Sequence, residues 1–548
     1  MLTIWIERLW FGQEADLRWP GQVARGRAWV GALVVLALFV GRLFLPFYPG
    51  ASDSRLVYEG IVWALQNHHN WGKQALVGAL DYPPLPGVAL LFLSPLDTLR
   101  HATGWHLPAA ATVLVAAAQV WTLVLVVRAV RALIPLRGAT VLGVLLFLVL
   151  CFSPPVAYAD RPTAFYLLVA DPFWVCLVPM AGVFLHLVRW EQGDALYDLT
   201  MAALYAGLLV FCGLTGIIFA VSALFLMAAH GSQADRPRPS GWLVFMPFVY
   251  AGLLHLLFNA LIMGDALFAW RHVAAHFAWP AAWEALVTNA RLVPLLVVVL
   301  LFGVSLLWRR LPLHLRLGWH CMLAAAACHA LQQAGGLFLG GAWLFTGFAL
   351  LPILLFFVNL PRCRNWRLAL PLIPLSLAFI PVALMLRLDS LRGEDFTVAR
   401  PGREELTDYV DHYWKDSRIL VYGLRLAVLY AWTAADADQD RQRFVARLDF
   451  NENVLREDIE KEQLHLLLPP DDGVYYPRRD RMFDRLRHHP VPGWLLLEEV
   501  WPGGWELWRC VRLPPVGLPP PAVAELPAAA APPTGPAPGS ARPAASGP

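Results

Sequence analysis

The residues best suited to chemistry in this sequence are four aspartates that flank apolar segments: Asp53, Asp81, Asp160 and Asp171. Carboxylates are costly beside a lipid bilayer, so acidic residues set against membrane helices are candidates for a functional site. A carboxylate can remove a proton from a hydroxyl group, position a substrate or ligate a metal ion. The sequence therefore indicates chemistry at a membrane surface.

The elements that must position these aspartates are membrane helices. The chain has 548 residues, of which 58% are hydrophobic and 15% charged, whereas about a quarter of the residues are charged in soluble domains. Apolar runs long enough to cross a bilayer recur along it, and we predict an α-helical polytopic membrane protein with about eleven transmembrane helices. The predicted spans are 28–47, 107–127, 139–156, 172–189, 197–212, 214–230, 241–263, 290–308, 317–337, 342–359 and 367–386.

The loops between these spans differ in charge, and this orients them. Short loops that carry arginine alternate with long loops that carry acidic and aromatic residues, and arginine-rich loops face the cytoplasm. Loops 48–106, 157–171 and 264–289, together with everything after residue 387, are therefore predicted to lie outside. The four aspartates all map to this outer face. The net charge of +3 gives no sign of a nucleic-acid partner, and we expect none.

The composition divides the chain into four parts. Residues 1–27 predict a cytoplasmic amphipathic segment, and residues 28–387 a membrane domain whose first outer loop is 48–106. Charge rises in residues 388–513, which predict a small soluble α/β domain on the outer side. Residues 514–548 are rich in proline and alanine and predict a disordered tail. The β-like runs of the soluble domain are 418–422, 464–468, 494–498 and 505–511.

Several short segments of the membrane domain also predict helices. After Asp53, residues 55–67 show apolar positions at helical spacing. Residues 85–96 are apolar but too short to cross a bilayer, so we predict a juxtamembrane helix there. The spans 197–212 and 214–230 are also short, and the residues around Gly213 predict either an ordinary turn or a broken helix.

Each candidate residue also has a purely structural interpretation. Asp53 and Asp171 stand where an aspartate caps a helix N-terminus. Asp81 precedes Tyr82 and two prolines in a turn that feeds residues 85–96. His69 could ligate a metal with an acidic partner or lie in a solvated polar loop. The outer-side cations could neutralise a phosphate or pair with these carboxylates; they are Arg55, Lys73, Arg161 and Arg271.

The first outer loop resembles that of the GT-C glycosyltransferases. The resemblance lies in Asp53 just beyond the first span, Tyr58 in the next helix, and the segment Asp81-Tyr82-Pro83-Pro84-Leu85-Pro86-Gly87 before an apolar helix. The segment Ala170-Asp171-Pro172-Phe173 is similar to the start of the family's fourth helix, and Phe258 to Phe268 resembles a later outer loop. Protein O-mannosyltransferases and aminoarabinose lipid A transferases are the groups that the chain resembles most.

The resemblance implies a donor of the polyprenyl-phosphate-sugar type and inverting transfer to a hydroxyl of a lipid, polysaccharide or protein, in the bacterial inner membrane with the site facing the periplasm. Asp53 would be the general base, and Asp171 a second acidic residue of the catalytic site that positions the acceptor or the partners of Asp53. Arg55, Lys73, Arg161 or Arg271 would bind the donor phosphate. If a divalent metal ion takes part, Asp81 with His69 would hold it. Tyr58, Tyr82 and Asp160 would line the substrate cavity.

Two other classes of function stay open. A transporter or flippase for a lipid-linked or glycan substrate is compatible with the number of spans, although such proteins carry ionisable residues near the middle of the membrane. A non-enzymatic scaffold on a degenerate GT-C core is favoured by Ser54, which stands where the family often has Glu.

Overall fold

The computed structural model of the chain describes most of its first half and short parts of its C-terminal region. The described residues are 22–45, 53–78, 80, 82–103, 108–134, 138–151, 171–193, 196–231, 241–276, 418–422, 444–447, 464–468, 486, 493–501 and 504–511. The four predicted spans after residue 289 lie outside them, as does the predicted tail 514–548. The elements below belong to one compact unit, Met1–Cys510.

The described N-terminal half is helical. Its helices are α1 (Gln22–Phe44), α2 (Asp53–Gln66), α3 (Asn70–Gly78), α4 (Pro84–Leu93), α5 (Pro95–Thr103), α6 (Ala110–Leu133), α7 (Ala139–Cys151), α8 (Trp174–Gly193), α9 (Leu196–Leu208), α10 (Gly213–Gly231), α11 (Gly241–Met263) and α12 (Phe268–His276). A 3₁₀ turn, Leu209–Cys212, joins α9 to α10.

Four of the described helical segments are long and apolar enough to cross a membrane: Ala110–Leu133, Trp174–Gln192, Leu196–Ala228 and Val244–Met263. Two shorter apolar helices accompany them, Trp29–Phe44 and Ala139–Leu148. These segments coincide with the first seven predicted spans, of which the pair at 197–230 forms one helical segment. They agree with a helical membrane protein, and the total of about eleven spans stays a prediction.

Two helix boundaries differ from the prediction by six residues. Helix α1 begins at Gln22, inside the segment 1–27 that was expected to precede the first span. Helix α6 continues past the expected end at residue 127 to Leu133, so Arg128 lies within the helix and is buried. The prediction ended the span before its first arginine because a charge in lipid is costly. Arg128 instead packs inside the bundle, where α6 contacts α8.

Helices α6 and α8 form the centre of the described bundle. In the most apolar window of each helix, 67% of the residues of α6 and 78% of those of α8 are buried, against 17% for α11. Helix α6 packs against α1, α7 and α8, while α8 also packs against α9, which in turn contacts α11. Leucines such as Leu253 and Leu261 on α11 are exposed, as expected for side chains that face lipid tails.

The chain between α9 and α10 is a broken helix rather than a loop, as one of the two alternatives predicted. Gly213 follows the 3₁₀ turn directly with a φ of 74°, a left-handed conformation that favours glycine. A Cβ atom at this position would lie 2.5 Å from the carbonyl oxygen of Leu80. The break therefore lets the first outer loop approach the backbone of the membrane bundle.

We expect Gly213→Ala to lower the stability of the protein by about 2–3 kcal/mol, because the new Cβ combines a strained φ with a backbone clash. The measurement is the midpoint of thermal unfolding of the purified protein in detergent. Gly252→Ala is the matched control, since a Cβ at Gly252 in α11 meets no atom within 4 Å. Equal midpoints for the two variants would contradict the close approach of Leu80 to Gly213.

The described residues of the predicted first outer loop form four helices, α2 to α5. Helix α2 begins at Asp53, close to the predicted start of 55–67, and Pro83 enters α4 with extended backbone angles before Pro84 opens the helix. Helix α4 confirms the predicted short apolar helix. It packs against α2, α6 and α8 and the 3₁₀ turn, so the bundle supports it.

The C-terminal region contains a mixed five-stranded sheet of order β2-β1-β3-β5-β4. Its strands are β1 (Ile419–Tyr422), β2 (Phe444–Arg447), β3 (His465–Leu468), β4 (Leu495–Trp501) and β5 (Trp505–Cys510). Strands β1, β2 and β3 pair in parallel, whereas β5 is antiparallel to β3 and β4. Four strands confirm predicted runs, and β2 was missed. Strand β2 contacts α3, so the sheet lies beside the first outer loop.

Candidate functional site

A buried aromatic cluster joins the first outer loop to the start of α8. The cluster consists of Tyr58, Tyr82 and Phe173, which are at most 1% exposed. Tyr58 contacts the rings of Tyr82 and Phe173 edge-on with centroids 6.1 and 5.7 Å apart, and Tyr82 stacks on Phe173 at 6.3 Å. The Tyr58 hydroxyl donates a hydrogen bond to the carbonyl oxygen of Pro83 at 2.9 Å. The loop is therefore fixed on the bundle by three rings.

Asp171 lies directly beside this cluster and is completely buried. Its Oδ1 accepts a hydrogen bond from the backbone N–H of Phe173 at 2.9 Å, which caps the first turn of α8. The predicted capping role of Asp171 is thus confirmed. This bond fixes the Asp171 carboxylate next to Phe173, whose ring contacts Tyr58 and Tyr82. Two motifs far apart in the chain, at 53–85 and 170–173, meet here.

A second contact holds the same loop from the side of α11. The Asn259 amide donates to the carbonyl oxygen of Val77 at 3.0 Å and to that of His255 at 2.9 Å, and Asn259 is fully buried. A Cβ on Gly78 would lie 2.9 Å from the Phe268 ring of α12. The C-terminus of α3, the start of α8, the break at Gly213 and the end of α11 therefore share one end of the bundle, here called the loop end.

The predicted phosphate-binding cations occupy different environments. Arg55 forms an ion pair with Glu59 one turn further along α2, with Nε and Oε1 2.8 Å apart. Arg271 in α12 pairs with Asp265 at 3.0 Å, and its side chain is 71% exposed. Lys73 is exposed on α3. Among the described residues, Arg55 and Arg271 therefore pair with the carboxylates of Glu59 and Asp265.

His69 lies between α2 and α3 and is half-buried, with its ring stacked on Trp63 at a centroid distance of 5.1 Å. Partial burial and the nearby Arg418 lower the pKa of His69 below its ordinary value, so its ring is neutral at neutral pH, the form that ligates metals. Within the described residues no three His, Cys, Asp or Glu side chains group into a metal site. A metal held by His69 and Asp81 stays a prediction, since Asp81 lies outside these residues.

Several other predicted site residues lie wholly or partly outside the described residues. Asp160 and Arg161 lie outside the described residues, and Asp53 is described only as the first residue of α2. The structure thus brings together Tyr58, Tyr82 and Asp171, while it leaves the positions of the other three aspartate side chains open.

Two buried polar pairs inside the bundle were missed from the sequence. Arg42 Nε donates to Gln119 Oε1 at 2.6 Å between α1 and α6. At the other end of the bundle from Asp171, the Nδ1 atom of His186 and Oδ1 of Asp198 are 2.7 Å apart between α8 and α9. The signal for the first pair was a single arginine in an otherwise apolar run, and for the second an aspartate in the first turn of a predicted span.

The scan against protein-family models gives no match for this chain, and the search of curated proteins finds no relative. The fold and the contacts define the class of the molecule: a helical membrane protein whose first inter-helix loop is folded and packed against the bundle, with a small mixed sheet beside that loop.

Proposed function

We propose that the protein is a membrane glycosyltransferase. It moves a sugar from a polyprenyl-phosphate-linked donor to an acceptor hydroxyl of a lipid, polysaccharide or protein, on the outer face of the bacterial inner membrane. The observation that supports this most is the buried Asp171 beside the Tyr58, Tyr82 and Phe173 cluster. This contact joins the two motifs through which the sequence resembles the GT-C enzymes.

The proposed reaction assigns a separate task to each of several residues at the loop end. Inverting transfer needs a base that takes the proton of the acceptor hydroxyl while the donor phosphate leaves from the opposite side of the sugar. In the proposed mechanism Asp53, the first residue of α2, is that base. Tyr58 follows about 7 Å further along the helix and fixes α2 through its hydrogen bond to Pro83. Helix α2 is therefore a rigid support, as a positioned base requires.

Asp171 has a different task in this proposal. Because it is buried and bonded to the backbone of Phe173, its orientation is set by α8 rather than by a mobile loop. It positions the acceptor or the groups around Asp53, while the cations of the loop end stabilise charge on the departing phosphate. Among the described predicted cations Arg55 takes this role, because it lies two residues after Asp53 in α2.

One observation favours a transporter as the second candidate. The His186–Asp198 pair and the buried Arg128 lie within the bundle, away from the loop end. Intramembrane ionisable groups mark ion or proton pathways in transporters. Asp198 lies in the first turn of α9, however, so this pair is closer to a helix end than to the middle of a span. The transferase hypothesis also gives the folded first outer loop a role, which the transporter hypothesis does not.

The test uses the full chain, purified and reconstituted in liposomes, with a panel of radiolabelled polyprenyl-phosphate sugars and an extract of membrane lipids as acceptor. We expect one donor to release its polyprenyl phosphate and label an acceptor. Labelled donor that moves between leaflets without any transfer would instead support the flippase. If no donor is either transferred or moved between leaflets, the result would contradict both the transferase and the flippase and would favour the non-enzymatic scaffold.

A further inference from the structure

Helix α11 places two polar side chains inside the bundle while its leucines face outwards. His255 and Asn259, one helical turn apart, are 4% and 0% exposed. Leu253, Leu257 and Leu261 on the same helix are exposed. Polar side chains inside a membrane bundle are costly unless their hydrogen bonds are made. The hydrogen bonds of these two residues therefore indicate what the residues do.

The amide nitrogen of Asn259 is fully used. Nδ2 donates to the carbonyl oxygens of Val77 and His255 at 3.0 and 2.9 Å, and it lies 3.3 Å from Nε2 of His255. A side-chain amide has two N–H donors, and both have backbone oxygens within reach here. Turning the amide over would bring Oδ1 against the same two carbonyl oxygens, which repel it. The orientation of the Asn259 amide is therefore fixed.

The amide oxygen of Asn259 is buried and accepts no hydrogen bond from the part of the chain that the structure describes. A buried acceptor without a donor is rare and destabilising. Because the orientation of the amide is fixed, the donor has to come from outside the described chain. A hydroxyl group is the matching donor, since an amide oxygen carries no charge that would offset the burial of a cation.

A short helix covers this part of the loop end. Helix α12 contacts α11 and α3, and its Phe268 ring lies against Gly78, where a Cβ atom would be 2.9 Å away. Gly78 follows Val77, whose carbonyl oxygen binds Asn259. Gly264 joins α12 to α11 with a φ of 71°, and a Cβ there would meet no described atom within 4 Å. Movement of α12 about Gly264 would open a path to the end of α3.

We propose that Oδ1 of Asn259 accepts a hydrogen bond from a hydroxyl group of the sugar on the polyprenyl-phosphate donor. This inference rests on the proposed function for the identity of the donor, and it adds a residue that recognises the sugar. Asn259 lies at the loop end, where it binds the first outer loop. A site that pairs a buried polar group with a substrate hydroxyl discriminates strongly against substrates that lack this hydroxyl. Asn259 thus determines sugar specificity and takes no part in proton transfer.

The test compares the binding of two kinds of lipid to the full chain in phosphatidylcholine nanodiscs. The first is polyprenyl phosphate that carries mannose, glucose, galactose or arabinose. The second is polyprenyl methyl phosphate, which has the same charge and no sugar. We expect Asn259→Ala to weaken binding of at least one sugar lipid about tenfold, and binding of the methyl lipid less than about twofold. No acceptor is present, so a loss that depends on the sugar belongs to the donor.

The comparison separates recognition of the sugar from support of the fold. If Asn259 is only a structural tie to Val77, Asn259→Ala weakens the binding of both kinds of lipid equally, and the proposal is overturned. Asn67→Ala is the matched control. The Asn67 amide also donates to a backbone oxygen, that of Trp63 at 2.9 Å, but it is exposed. This control variant should bind both kinds of lipid as the wild type does.

A second measurement needs only the wild-type protein and holds even where Asn259→Ala does not fold. Sugar lipids that each lack one hydroxyl are titrated, and we expect one of these deletions to weaken binding about tenfold. Equal affinity for all of them would overturn the proposal, because no buried acceptor then recognises a hydroxyl. A chain that binds sugar through Asn259 but labels no acceptor would contradict the proposed function alone. Sugar transfer together with equal losses for both kinds of lipid in Asn259→Ala would contradict this inference alone.

Discussion

Replacement of Asp171 by asparagine is expected to reduce sugar transfer at least 100-fold while it leaves the fold intact. Asp171 acts by positioning the reacting groups, and a misplacement of about 1 Å costs on the order of 100-fold in rate. Asparagine caps a helix as well as aspartate does, so the bond from the Phe173 N–H to Oδ1 is kept and the melting temperature should change little. The measurement is the initial rate of polyprenyl-phosphate release, with thermal unfolding of the same preparation.

Asp97→Asn is the matched control for this prediction. Oδ1 of Asp97 accepts a hydrogen bond from the backbone N–H of Ala110 at 2.9 Å and caps α6, as Asp171 caps α8. Asp97 has no role in the proposed chemistry, so its asparagine variant should transfer sugar at the wild-type rate. If Asp171→Asn also keeps the wild-type rate, Asp171 is a cap and nothing more.

The sequence predicts the local parts of this fold well, for a physical reason. A membrane span is recognised by a long apolar run, so α6, α8 and α11 could be placed within a few residues. Helix α4 was recognisable because its apolar run is too short to cross a bilayer and begins with prolines. Strand β2 was missed because its four residues, Phe444–Arg447, show no clear alternation and its parallel partner β1 is distant in the chain.

The site was predictable only in part. The order of the spans predicts that Asp53, Asp81, Asp160 and Asp171 share one face, because it fixes the side on which each loop emerges. It could not indicate that Tyr58 and Tyr82 meet Phe173, since this contact depends on how α2, α4 and α8 pack. The orientation of the loop end towards the outside stays a prediction.

The missed polar pairs show the limit of reasoning by composition. In the sequence Arg42 is a single charge near the end of a predicted span, and Gln119 is one polar residue in an apolar run. Each is informative only once the other is seen beside it at 2.6 Å. A buried pair of this kind depends on the rotation of two helices about their axes, which uniformly apolar faces do not determine.

Replacement of Asp53 by asparagine is the most direct test of the proposed mechanism, and we expect transfer to fall by about 10²–10⁴-fold. Asparagine has nearly the same shape and can still cap a helix N-terminus, but it cannot accept the proton of the acceptor hydroxyl. Binding of polyprenyl phosphate should be unchanged, because the base contributes to the rate rather than to the affinity for the lipid.

Glu59→Gln is the control on the same helix. Glu59 is a partly exposed carboxylate paired with Arg55, and surface pairs of this kind contribute little, so the variant should transfer sugar within about twofold of wild type. If the Asp53→Asn and Glu59→Gln variants transfer sugar at the same rate, Asp53 is not the base. If Asp171→Asn alone abolished transfer, the proton would have to go to the carboxylate on α8, and the roles proposed for the two aspartates would be reversed.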